Sequence, residues 1–242
     1  MKLGPTAVFF FFVQILSSQT QDGVDFLSAK VFVEPIPQQK QLKGQVTYKF
    51  EVLKNIDSIF LDAININFSS VLLDSEKVNY SNNQKSITVK KKFRKGDIHS
   101  ISLRYLANPK QTVYFLGWDD NNPNNNQIWT QGQGKYTSHW LPSFDDMNEK
   151  VEFDINLVAA PEYYVITNGK LIGKEELFDA EALSWQFDME QPMSSYLVGF
   201  AIGKFDKKTI QSSTGIPIEL YYEPMDSLKV EPTYRHTQLI FD

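Results

Sequence analysis

Gln45-Val46-Thr47-Tyr48-Lys49-Phe50-Glu51-Val52 decides the fold class of this chain. Apolar residues fall at every second position, so Val46, Tyr48, Phe50 and Val52 share one face. Successive side chains of a strand point to opposite faces, whereas a helix repeats about every 3.6 residues. The same alternation recurs on both sides. Upstream, Ala29-Lys30-Val31-Phe32-Val33 reads as a first strand. Downstream come Ile59–Ala63, Ile64–Phe68, Ser86–Lys91, Ile98–Tyr105 and the strictly alternating Val151–Val158. Turn signals at Asn82-Asn83, Lys95-Gly96-Asp97 and Asn108-Pro109 separate these runs. Many short strands at this spacing predict an all-β, multi-sheet, antiparallel β-sandwich-like domain. Tyr48, Phe50, Ile59, Phe60, Ile87, Val89, Ile101 and Leu103 are the expected core.

The second half continues in the same period. Tyr164-Val165-Ile166-Thr167 runs into Asn168-Gly169, the pair favoured by a type I′ hairpin, with Lys170-Leu171-Ile172 returning. Leu183–Phe187 and Ile216–Tyr222 read as further strands, and Ser195–Gly203 as a buried one. Asp119–Asn126 is a polar, Asn-rich surface loop that cannot build a core. Glu231–Asp242 differs: Pro232 sits where a helix would start, and Leu239-Ile240-Phe241 is an apolar end without a cap. The expectation is a helix that opens and then continues beyond Asp242.

Composition bounds the function. The 242 residues are 42% hydrophobic and 14% aromatic, ample for a packed core, and the net charge is −5. That balance argues against a nucleic-acid partner, which calls for a basic face. The one basic run, Lys90-Lys91-Lys92-Phe93-Arg94-Lys95, reads as the solvated side and end of a strand. Lys2, the apolar stretch Ala7–Leu16 and the small residues after it read as a leader over residues 1–19, hence an exported protein in the periplasm or outside the cell. The apolar stretch is too short for a membrane-spanning helix, which needs about 20 residues, so no transmembrane anchor is expected. The absence of cysteine excludes disulfides, a thiol nucleophile and a thiolate metal site. Asn67-Phe68-Ser69 and Asn79-Tyr80-Ser81 match the N-glycosylation acceptor triplet.

Trp129-Thr130-Gln131-Gly132-Gln133, then Trp140-Leu141-Pro142 and Asp145-Asp146, carry the chemistry. This run resembles the W-T-Q-x-[QE] segment and W-x-P-x-x-D turn in the N-terminal β-domain of M1-family zinc aminopeptidases. Tyr164–Gly169, Met193–Phe200 and Gly203-Lys204-Phe205 follow in matching order, so the likeness spans roughly residues 25–242. It implies a saddle-shaped β-domain over residues 22–226 and, at 227–242, the start of a thermolysin-like catalytic domain. It further implies peptide substrates with a free N-terminus, a catalytic domain in the same polypeptide, and zinc held by that domain. Gln131 would line the first side-chain pocket (S1), and Gln133 would sit beside the substrate α-amine. Many members carry Glu at the second position, and a neutral Gln makes a weaker bond than a charged acceptor. Gly132 would join Gln131 and Gln133 in binding substrate; it and Gly134 permit either close approach of the backbone to a ligand or a tight turn.

Neither a His-Glu-x-x-His nor a Gly-x-Met-Glu-Asn segment occurs, so this chain is not expected to bind zinc or to be catalytic alone. His99, His139 and His236 lack metal-ligand spacing, and His139 reads as a hydrogen-bonded structural residue. Asp145-Asp146 reads as a turn pair bonding backbone N–H groups, because adjacent strand residues face opposite ways. Two other readings stand beside the aminopeptidase domain: a zinc-less M1-like scaffold, and a carbohydrate-binding β-sandwich using Trp129, Trp140 or Trp185.

Overall fold

A computed structural model describes residues 21–118, 125–177 and 181–242. The expected leader at 1–19 and the Asp119-Asp120 pair lie outside these residues. The chain forms β1 (Val24–Ile36), β2 (Gln41–Val52), β3 (Ile56–Asp62), β4 (Ile66–Leu73), β5 (Glu76–Lys77), β6 (Tyr80–Asn82), β7 (Ser86–Phe93), β8 (Ile98–Ala107) and β9 (Val113–Leu116). There follow β10 (Gln127–Thr130), β11 (Lys150–Ala159), β12 (Tyr164–Thr167), β13 (Lys170–Glu176), β14 (Leu183–Asp188) and β15 (Met193–Ser194). Last come β16 (Phe200–Gly203), β17 (Asp206–Gln211), β18 (Pro217–Tyr222), α1 (Ser227–Tyr234) and α2 (Thr237–Phe241).

The all-β architecture predicted from the alternation is what the residues build. The largest sheet runs in the order β13-β14-β11-β1-β2-β8-β4-β5, with β15 attached to β11. Its ladders are antiparallel except at β1–β11, where Val31 lies beside Ile155 in parallel register. Within this sheet, that pairing joins the two halves of the chain. Separate sheets are formed by β12-β16-β10-β9, by β3-β7-β6 and by β17-β18. Val46, Tyr48, Phe50 and Val52 all point inward at 0% exposure, so the opening reading of β2 holds residue by residue. Phe26, Tyr48, Phe50 and Phe144 form an aromatic nucleus, with the Phe26 and Phe144 rings 4.4 Å apart.

Five expectations are corrected. Phe60 is only half-buried, because β3 turns Ile59 and Leu61 inward instead. Asn168-Gly169 does not close a hairpin: β12 pairs with β16, and β13 pairs with β14. Asn168 is spent as a cap, its Oδ1 accepting from the Gly199 amide at 2.9 Å. Gly169, at φ 89°, lies where a Cβ would meet the Asp188 carbonyl at 2.4 Å. In the Ser195–Gly203 run only Phe200–Gly203 is strand, since Ser195–Leu197 closes a 3-10 turn. The terminal helix starts at Ser227 rather than near Pro232, which lies inside it. Asn126 is also buried, donating to the Tyr163 hydroxyl at 3.0 Å, so the end of the Asn-rich loop does contribute to packing. The basic run behaves as expected: Lys90, Lys91 and Lys92 are exposed between buried Val89 and Phe93. A bulge against β3 keeps Lys91 outward where strict alternation would turn it in.

Candidate functional site

The site grows from the end of the β9–β10 ladder, where Tyr114 lies opposite Trp129 and Val113 opposite Thr130. One residue further, the Gln131 amide donates to the Thr112 carbonyl at 2.8 Å. The Thr112 hydroxyl answers by donating to the Gln131 carbonyl at 2.5 Å. Thr112 is buried and sits at φ 72°. A β-branched residue in the left-handed region costs about 1–3 kcal/mol, and such strain persists only where neighbours hold it. Nothing in Lys110-Gln111-Thr112-Val113 announces this conformation.

The two loop glycines divide the roles that the sequence left open. Gly134, at φ 92° with open space around it, makes the turn. Gly132 is buried, and a Cβ there would lie 2.6 Å from Thr137 Oγ1 and 2.8 Å from the Tyr196 carbonyl. What approaches Gly132 is therefore the chain's own backbone.

Beneath the loop, the Trp-Leu-Pro step is an anchor. The Thr137 hydroxyl donates to the Ser195 carbonyl at 2.9 Å, and the Ser195 hydroxyl donates to the Phe144 carbonyl. The Tyr48 hydroxyl donates to the Pro142 carbonyl at 2.6 Å, and the Ile64 amide to the Ser138 carbonyl at 2.8 Å. Trp140 is fully buried, edge-on to Phe200 with ring centroids 5.2 Å apart. The Asp145 carboxylate accepts from the Ser138 hydroxyl at 3.1 Å rather than from a backbone N–H, while its own amide donates to Asp62 at 2.8 Å. Asp146 accepts from the Asn148 amide at 2.9 Å. Burial pushes the Asp145 carboxyl up to about 6, and the neighbouring Asp62 charge adds to it. Glu149, accepting from the Phe26 amide at 2.9 Å, is pushed up to about 7, chiefly by burial.

Above this base, Gln131 and Gln133 are both exposed and line one open cleft of about 320 Å³ with Gln111, Thr112, Tyr114 and Tyr136. Gly132 is not among the lining residues. Tyr114 stacks on Trp129, with centroids 4.2 Å apart and planes 25° apart. His139 is buried behind the cleft, its Nε2 3.2 Å from Gln111 Nε2. The amide N–H can only donate, so Nε2 accepts and the imidazole proton resides on Nδ1. That Nδ1 has no hydrogen-bond partner among the described residues. Burial lowers the His139 pKa, which keeps the ring neutral. Of these lining residues the sequence singled out Gln131 and Gln133, while Gln111, Thr112, Tyr114 and Tyr136 carry no motif that would place them at the cleft.

The donor set does not suit zinc. His99 in β8 bonds Asp74 at 2.7 Å, His139 faces Gln111, and His236 lies between the two helices. Among the described residues, one group has metal-ligand proximity: oxygens of Glu152, Asp154 and Asp188 lie within 4.8 Å of one another. It sits on β11 and β14, in a different sheet from the cleft, and offers only carboxylate oxygens, the chemistry of harder cations.

Comparison with known proteins agrees with this architecture. The sequence profile of the Peptidase M1 N-terminal domain matches residues 26–197. Glutamyl aminopeptidase of Bos taurus is 36% identical over 102 residues, which is 42% of this chain and 11% of that protein. Puromycin-sensitive aminopeptidase of Caenorhabditis elegans is 28% identical over 95 residues, 39% of this chain and 10% of that protein. Among solved structures, a two-domain M1 zinc metallopeptidase bound to L-arginine superposes with a TM-score of 0.67 at 17% identity, covering 83% of this chain and 47% of that one. An M1 zinc metallopeptidase from Deinococcus radiodurans bound to a Tyr-Ser-Ala substrate gives 0.67 at 18%, with the same coverage. At such identity these structures speak for the fold. The chain spans about a tenth of the length of these curated relatives and about half of the solved structures. The matched profile takes in the main sheet, the cleft and its buried base, and this chain belongs to the M1 peptidase N-terminal domain family.

Proposed function

We propose that this chain is the substrate-recognising β-domain of an exported M1 zinc aminopeptidase, an enzyme that removes N-terminal residues from peptides. The observation that carries the reading is the joint exposure of Gln131 and Gln133 at one cleft. A free ammonium carries three donors, so it needs several acceptors converging on one point. The Gln133 amide oxygen receives the α-amine, and Gln131 lines the pocket for the first side chain. The Thr112 clamp fixes the Gln131 backbone, which lowers the entropy lost when substrate is seated. Zinc, held by a catalytic domain of the same polypeptide, supplies the activated water, and this chain supplies one wall of the cavity. No helix among the described residues is long and apolar enough to cross a membrane.

The test is made in the parent polypeptide with its catalytic domain. Gln133→Ala should raise KM and lower kcat/KM for unblocked peptides by about tenfold or more, as removal of a hydrogen bond to a charged group does. Unchanged kinetics would remove Gln133 from amine recognition.

A further inference from the structure

The lining of the cleft has a chemical character of its own. Gln111, Thr112, Tyr114, Gln131, Gln133 and Tyr136 bring three amides, one hydroxyl and two phenols, with no charged group among them. Lys110 and Lys135 flank Gln111 and Tyr136 in sequence, and neither lines the cleft; the Lys135 charge acts on Asp62 and Asp145. The two phenol rings are well exposed for aromatic residues, at 38% for Tyr114 and 45% for Tyr136. Both are braced from behind: Tyr114 lies against Trp129 at 4.2 Å, and Tyr136 against His139 at 5.9 Å. His139 is held neutral by burial, so it lends the cleft no positive charge either. A volume of about 320 Å³ is the low end of the roughly 300–1,000 Å³ of ligand pockets, room for one residue rather than for a long peptide.

We infer that this cleft selects substrates whose first residue is uncharged and aromatic. The inference rests on the aminopeptidase reading above and adds the substrate class to it. An aromatic side chain finds two braced rings for offset or edge contact and amide groups around its rim. A glutamate, aspartate, arginine or lysine side chain would lose hydration with no countercharge from this wall. The substrate class thereby departs from that named in the glutamyl aminopeptidases similar to this chain.

The experiment measures kcat/KM of the parent enzyme on a set of dipeptide amides that differ only in the first residue: Phe, Tyr, Leu, Ala, Glu and Arg. Phe and Tyr should exceed Glu and Arg by about tenfold or more, because a charged side chain loses hydration here without a countercharge. Tyr136→Ala should lower kcat/KM for Phe by severalfold more than for Ala. Gln111→Arg should raise use of Glu relative to Phe, because it supplies the missing countercharge. Equal use of Glu and Phe, or a Tyr136→Ala loss that is the same for Phe and Ala, would overturn the inference. Either result combined with a normal Gln133→Ala defect leaves amine recognition standing. A missing Gln133→Ala defect removes the parent reading instead.

Discussion

The Thr112 hydroxyl donates to the Gln131 carbonyl at 2.5 Å while Thr112 itself stands at φ 72°, so a strained, buried residue fixes Gln131 at the cleft. Thr112→Val keeps the shape and removes the donor, leaving a backbone carbonyl unpaired. It should cost about 1–3 kcal/mol in chemical denaturation. Thr112→Ser keeps the hydroxyl and should cost well under half of that. Equal costs for the two would show that the hydroxyl does not hold the loop.

Gly132 and Gly134 should respond differently to alanine. At Gly132 the added methyl meets the Tyr196 carbonyl, a backbone atom that cannot swing aside, so overpacking of about 1–3 kcal/mol is expected. At Gly134 the methyl meets open space and only the left-handed backbone objects, about 1 kcal/mol. Thermal unfolding of the two variants should rank them in that order, and the reverse ranking would place the close approach elsewhere.

Glu149 gives the chain a pH signature. Its folded pKa is pushed up to about 7 from the ordinary 4.5, so the folded state holds a proton that the unfolded chain has already released. That contribution is fully present below about 4.5 and is lost as pH rises through about 7. Asp145 acts in the same direction between about 4 and about 6. Glu149→Gln imitates the protonated form and can still accept from the Phe26 amide. It should match the parent near pH 5 and become the more stable protein by pH 8, read by urea midpoints. A constant difference across that range would contradict the assignment.

Export has its own check. Asn79 is exposed between β5 and β6, and Asn67 is exposed on β4. Expression through a glycosylating secretory route should give a mass shift at Asn79 that Ser81→Ala abolishes. Secreted protein without the shift would show that this triplet is not used.

Much of the fold was legible because β2, β8 and β11 each bury one face and expose the other, which writes the strand period into the residues. The Trp129–Asp146 run was legible because its distinctive residues build the base of the site, Trp140 by burial and Asp145 by its bond to Ser138. Asn168-Gly169 misled for a physical reason. Local turn chemistry was overridden by β16, whose ladder with β12 and whose neighbour Gly199 claimed the segment. Thr112 was invisible because its conformation is imposed from Gln131, nineteen residues away. Tyr114 and Tyr136 were invisible as lining because a loop fold, not a period, brings them to the same cleft.

The central claim is that Gln133 receives the α-amine of a substrate, and a cycle between protein and ligand tests it most directly. In the parent enzyme, inhibition constants are measured for phenylalanine hydroxamate and for the same compound without its amino group, on wild type and on Gln133→Ala. The account predicts about a tenfold loss for the amine-bearing ligand and essentially none for the des-amino one. An equal loss for both ligands, or none for either, would contradict it.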